Sequence, residues 1–158
     1  MNGNPASIAA QRVHRYTLRV YYEDTDAGGI VYHANYLRYA ERARTEALRD
    51  LGIPHATLVE RYNLMFVVRR IKVDYLRPAR LDESLAVLTE PLSVGAASAT
   101  LRQTIVGAED TLGPRAVLEV GLAAIGIPDQ RPGRLPAQWR ETLRAMLAGG
   151  HNEETRSG

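Results

Sequence analysis

Residues 20–53 read VYYEDTDAGGIVYHANYLRYAERARTEALRDLGI, and the second half of this run carries the architecture. Tyr36, Ala40, Ala43, Ala47 and Leu51 recur at spacings of three and four. That is one apolar stripe of an α-helix, with Arg38, Arg42, Glu46 and Arg49 off it. The middle of the stripe is alanine, so the helix can lie very close to whatever it covers. Asn35 is placed to cap its start, and Gly52 followed by Pro54 is a helix stop.

Working outward, residues 16–22 (YTLRVYY) are β-branched and aromatic and predict a strand. Residues 23–29 (EDTDAGG) predict a loop. Beyond the helix, the period changes. Residues 67–75 alternate, with Val67, Ile71, Val73 and Tyr75 opposed to Val68, Arg70, Lys72 and Asp74, and Arg69 interrupts the apolar row. Strands are expected over 84–92 and 97–106, and over 116–127, where the near-continuous apolar run predicts a central strand buried on two faces. Pro136 opens a terminal helix over 136–147. One strand, a long helix and four successive strands define an α+β domain with a largely antiparallel sheet. A single covering helix leaves a face and an edge to hide, which predicts a homo-oligomer. The expected organisation is a frayed segment over 1–12, one domain over 13–147 and a frayed tail over 148–158.

The bulk numbers restrict the function. The 158 residues fit one domain, and 45% are apolar, enough for a real core. The formal charge is only +2, with Lys72 the sole lysine and arginines spread along the chain near acids. That is not the dense basic stripe of a nucleic-acid reader. There is no cysteine, which excludes disulfides, thiolate catalysis and Cys-based metal sites. No run approaches the ~20 apolar residues of a membrane span, and residues 1–11 lack a secretory pattern, so a cytoplasmic location is expected.

The chemistry concentrates at Tyr22-Glu23-Asp24-Thr25-Asp26, followed by Gly28, Gly29 and His33. Three acids within four residues repel one another. They precede a helix start, whose free N–H groups and positive dipole end can polarise a carbonyl beside a carboxylate. An acidic, solvated turn is the plain alternative. A calcium loop counted from Asp24 would put Asn35 where a bidentate Glu is needed. An aspartate phosphotransferase of the haloacid-dehalogenase type would have Thr or Val where Gly28 stands.

Residues 20–53, together with 67–81 (VVRRIKVDYLRPARL) and 97–106, resemble the 4-hydroxybenzoyl-CoA thioesterase family, especially its bacterial branch of acyl-CoA thioesterases associated with the Tol-Pal system. The resemblance covers roughly residues 14–130 and implies a hotdog fold. It implies that Asp26 is the nucleophile or general base acting on a thioester carbonyl, and that the backbone N–H at His33 polarises that carbonyl. Tyr22 would line the acyl pocket, and Gly28 and Gly29 would let the loop turn beneath the pantetheine arm. Asp24 is expected to be structural, for example paired with an arginine. The implied substrate is a short-chain aliphatic or aromatic acyl-CoA, with acyl carrier protein as a second candidate partner and a dimer or dimer of dimers as the assembly. No metal or cofactor is called for. Two other readings stand beside it: a dehydratase acting on hydroxyacyl thioesters, and a non-catalytic module that binds acyl-CoA or acyl carrier protein.

Overall fold

The computed structural model describes the backbone of residues 12–154 and side chains as far as residue 147. The chain runs β1 (His14–Arg19), a 3-10 turn (Tyr22–Asp24), α1 (Asn35–Asp50), α2 (His55–Tyr62), β2 (Leu64–Tyr75), β3 (Ser84–Val94), β4 (Ser98–Gly107), β5 (Ala116–Gly126) and α3 (Ala137–Glu154). The sheet order is β1-β3-β4-β5-β2, and every neighbouring pair is antiparallel. The α+β class expected from the sequence is therefore present, as a five-stranded sheet packed on one long helix. The frayed ends expected over 1–12 and 148–158 fall almost wholly outside the side chains described.

Helix α1 buries Tyr36, Ala40, Ala43 and Ala47, and Leu51 is buried just beyond its end, as the spacing predicts; Tyr39, off the predicted stripe, is buried with them. Tyr36, Tyr39, Ala40 and Ala43 pack with Leu85, Val87, Ile105, Leu118 and Val120 of the sheet in one core cluster. The alanines bring helix and sheet so close that Gln103, fully buried on β4, donates through Nε2 to the carbonyl of Ala40 at 2.9 Å. At the far end, Gly52 takes φ 78°, and the Ile53 N–H donates to the Leu48 carbonyl at 3.0 Å. This left-handed stop, with Ile53 fully buried just beyond it, is the ending that the Gly52 and Pro54 pattern predicts. Leu51, Ile53, Leu58, Ala124, Leu135, Trp139 and Leu143 form a second core under α3.

Several expectations need correction. Asn35 is not the cap of α1 but its first residue; Ala34 holds the cap position and supplies no side-chain bond. Asn35 is instead buried, and its Nδ2 donates to the Asp24 carbonyl at 2.8 Å. The first strand ends at Arg19, and Tyr22 enters the 3-10 turn, because the Asp24 carboxylate accepts the Tyr21 N–H at 2.8 Å and closes the chain on itself. Helix α2 lies in a segment the periodicity left unassigned; Pro54 precedes it and Asn63, in the left-handed region at φ 55°, ends it. β5 is an interior strand, but Glu119 is exposed, so only one face is sealed along its first half. The interrupting Arg69 marks a bulge, where the register between β2 and β5 shifts between Val68 and Arg70.

Candidate active site

The acidic loop is a tight hairpin that returns to the head of α1. Thr25 pairs with Val31 across it, the Asp26 N–H donates to the Ile30 carbonyl at 2.9 Å, and the Gly29 N–H donates to the Asp26 carbonyl at 3.0 Å. Gly29 takes φ 76°, a conformation that suits glycine. Within this turn the Gly28 N–H donates to Asp26 Oδ1 at 2.8 Å. The carboxylate is thus held by its own loop while remaining exposed. A β-carbon on Gly28 would stand 3.2 Å from that oxygen, so the loop leaves no slack there.

Backbone bonds lock the loop to the helix. The Asp24 carbonyl accepts both the Tyr32 N–H, at 2.9 Å, and the Asn35 amide, at 2.8 Å. The expected arginine partner of Asp24 is absent among the described residues; its carboxylate caps the 3-10 turn instead. Burial pushes the Tyr39 phenol well above its ordinary range, and the Asp24 charge adds to that shift.

His33 sits two residues before α1, exposed, with its ring tilted against Tyr32 at 4.5 Å. Its carbonyl accepts the Tyr75 hydroxyl at 3.0 Å. Ala34 offers no side-chain cap; the Asn35 and Leu37 amides donate to the Tyr32 and Ala34 carbonyls at 2.8 and 3.2 Å, and no backbone acceptor among the described residues takes the His33 N–H. Among the described residues the Asp26 carboxylate bonds only to Gly28, with no direct bond to His33. An open cleft of about 250 Å³ lies against the second limb of the loop, lined by Ile30, Val31, Tyr36, Tyr75, Leu76 and Pro78.

The structure brings Asp26, Gly28, Gly29 and His33 into one loop-and-helix unit. Tyr22, on the same turn, is 82% exposed on the protomer. Tyr75 and Tyr36 are the residues that sequence reasoning missed or set aside. Tyr75 grips His33 from the end of β2, and the Tyr36 hydroxyl accepts the Ala79 N–H at 3.0 Å, fixing the segment after β2 beside the loop. Their position in the alternation and on the helix stripe marked them as packing residues, and nothing local in the sequence signals the longer-range bonds.

A second recess opens on the other half of α1. It has a volume of about 230 Å³ and is lined by Glu41, Arg44, Leu48, His55, Phe66 and Val68, among others. His55 Nε2 accepts the Phe66 N–H at 3.1 Å, so the neutral ring serves as an acceptor at the start of β2. Burial lowers the His55 pKa, in keeping with that role.

A five-stranded antiparallel sheet against one long central helix is a hotdog fold, the scaffold of thioester hydrolases. The chain belongs to the Thioesterase superfamily, whose sequence model matches residues 28–114. The match contains His33 and begins two residues beyond Asp26. The acyl-CoA thioester hydrolase YbgC of Escherichia coli is 45% identical over 122 residues, spanning 77% of this chain and 89% of that one. The acyl-CoA thioesterase YbgC of Haemophilus influenzae is 50% identical over 91 residues, 58% of this chain and 67% of that one. A probable thioesterase from Bartonella henselae superposes with a TM-score of 0.72 at 35% identity, covering 78% of this chain and 99% of that one. The DHNA-CoA thioesterase of Staphylococcus aureus, at 21% identity, shares the fold with a TM-score of 0.81 over 89% of this chain and 95% of that one. No helix among the described residues is long and apolar enough to cross a membrane.

Proposed function

We propose that this chain is an acyl-CoA thioesterase in which Asp26 attacks or activates water against the thioester carbonyl. The observation that carries the reading is the Asp26 carboxylate, exposed yet held by the Gly28 N–H on a hairpin bonded to the head of an uncapped helix. The carbonyl oxygen would sit on the His33 N–H, and the developing oxyanion would be stabilised by that amide and the positive end of α1. As a base, Asp26 takes a proton from water, hydroxide adds to the carbonyl carbon, and collapse breaks the C–S bond with CoA leaving as thiolate. As a nucleophile, Asp26 forms a mixed anhydride as the C–S bond breaks, and water then opens it. Single-turnover hydrolysis in ¹⁸O-water tests the second route, since label found in Asp26 marks an anhydride opened by water at the Asp26 carbonyl. Relatives named as acyl-CoA thioesterases support the substrate class. A short aliphatic or aromatic acyl group and a cytoplasmic setting are part of the same reading.

The site is completed by a second copy. β2 is an edge strand of twelve residues, with Val68, Arg69, Arg70, Lys72 and Asp74 exposed along it. An unpaired edge of that length is a pairing surface. Two copies joined antiparallel about the midpoint of β2, between Arg69 and Arg70, would set Tyr75 of one opposite Leu64 of the other. That register brings the His33 head of one protomer toward the recess at His55 and Phe66 of its partner.

The decisive measurement is thiol release from a panel of acyl-CoAs. Asp26→Asn should lower kcat by at least about 10³, in the range lost when a catalytic carboxylate or oxyanion donor is removed. Tight binding with turnover unchanged by that substitution would refute the assignment and favour a non-catalytic binding module.

A further inference from the structure

Arg44 occupies an unusual place for an arginine. It lies midway along α1, on the side facing the sheet, and its Nη1 donates to Gln103 Oε1 at 2.9 Å. Gln103 is fully buried and cannot turn away, because its Nε2 donates to the Ala40 carbonyl at 2.9 Å and to the Thr89 hydroxyl at 3.0 Å. Its oxygen is thereby aimed at Arg44. That is one bond for a group with five N–H donors. No carboxylate lies within 4.0 Å of the guanidinium among the described residues. Glu41, three residues earlier on the same helix, lines the same recess and its charge favours the Arg44 cation, but it is exposed and makes no ion pair with it. Burial pulls the Arg44 pKa down from its ordinary range, the mark of a cation short of solvation.

The surroundings give those spare donors a place to act. Arg44, Leu48, Phe66 and Leu122 line both the 230 Å³ recess and a smaller inner cavity of about 40 Å³. The inner cavity continues between helix and sheet past Ala47, Leu101 and Met146, which are apolar. Arg44 therefore stands where a partly polar recess passes into a wholly apolar one. A plain hydrocarbon chain entering the recess would strip water from the guanidinium and return nothing. An acyl group ending in an anionic oxygen would replace that water with a charge-assisted, two-pronged bond.

We propose that Arg44 is a specificity-determining residue that receives a carboxylate at the far end of the acyl group, so that short ω-carboxyacyl-CoAs are preferred over unsubstituted acyl-CoAs of equal length. This rests on the acyl-CoA reading and on the recess being the acyl pocket. Gln103 acts through Arg44, as the residue that positions the guanidinium.

The test compares glutaryl-CoA with pentanoyl-CoA, two five-carbon acyl groups that differ at the terminus, by thiol release from the full-length chain. The wild type should favour glutaryl-CoA in kcat/KM. Arg44→Met should lower the glutaryl-to-pentanoyl ratio by about 10–100-fold, the value of one to two charge-assisted bonds. Arg44→Lys keeps the charge but loses the fork, and should give an intermediate ratio; it also carries the test if the methionine variant does not fold. A merely structural arginine would change both substrates alike, so an unchanged ratio in both variants overturns the proposal, as does a wild-type preference for pentanoyl-CoA. If the wild type releases thiol from neither substrate nor from other acyl-CoAs, the thioesterase reading itself fails and this one falls with it. Asp26-dependent release from both, at a ratio blind to Arg44, removes only the role of Arg44.

Discussion

Replacing Gln103 by leucine tests how the helix is held to the sheet. The side chain is fully buried and makes three hydrogen bonds, to Ala40, Thr89 and Arg44. Leucine has a similar volume, so the cavity term is small and the loss is mainly polar. The bond to the charged Arg44 contributes about 1.5–3 kcal/mol, and the one to Thr89 about 1 kcal/mol. Thr89, 5% exposed, would keep a buried hydroxyl without its partner. Ala40 loses less, because its carbonyl retains a partner in the helix ladder. The sum is about 3 kcal/mol, which for a domain of this size lowers Tm by roughly 6–12 °C. Urea unfolding followed by circular dichroism, at constant m-value, measures it. Adding Thr89→Val removes the stranded hydroxyl and should recover about 1 kcal/mol, a coupling that a double-mutant cycle reads directly. A loss below about 1 kcal/mol, or no coupling between the two positions, would refute the view that this network clamps α1 to β4.

Two further outcomes follow from local geometry. Gly28→Ala places a methyl group 3.2 Å from Asp26 Oδ1, and steady-state kinetics should show kcat reduced by about tenfold with Tm little changed, since displacement of the carboxylate by a fraction of an ångström is the main effect. His55 supplies a pH dependence: burial lowers its pKa in the folded state, so the unfolded chain binds more protons, and stability present above pH ~6.5 declines as pH falls from there toward the lowered value. Urea midpoints at pH 7.5 and 5.5 should differ less for His55→Gln than for the wild type, and an equal difference would count against the acceptor role toward the Phe66 N–H.

The parts of the fold legible from sequence were those written in period and punctuation. The alanine stripe of α1, its Gly52 stop and the alternation of residues 67–75 in β2 each express one local rule, and the structure follows them. The misreadings share a cause: a side-chain bond to the backbone overrode an intrinsic preference. Asn35 has the side chain of a cap, but the Asp24 carbonyl, eleven residues back, claims its amide. Tyr22 has the propensity of a strand residue, but the Asp24 carboxylate folds the chain into a turn before it. Gln103 lies among the apolar positions of β4, and its three partners come from α1 and β3. At the candidate site, the loop and helix head were legible because they are contiguous in the chain. The recess that adjoins Arg44 was not, because residues from α1, α2, β2 and β5 meet there only after folding.

Tyr75 ends the outermost strand and also holds the carbonyl of His33. The sheet's margin and the helix head are therefore one mechanical part, joined by a latch. Whatever zips up that margin will stiffen the place where a thioester is proposed to dock, and fraying there will slacken it, without any change in the loop itself.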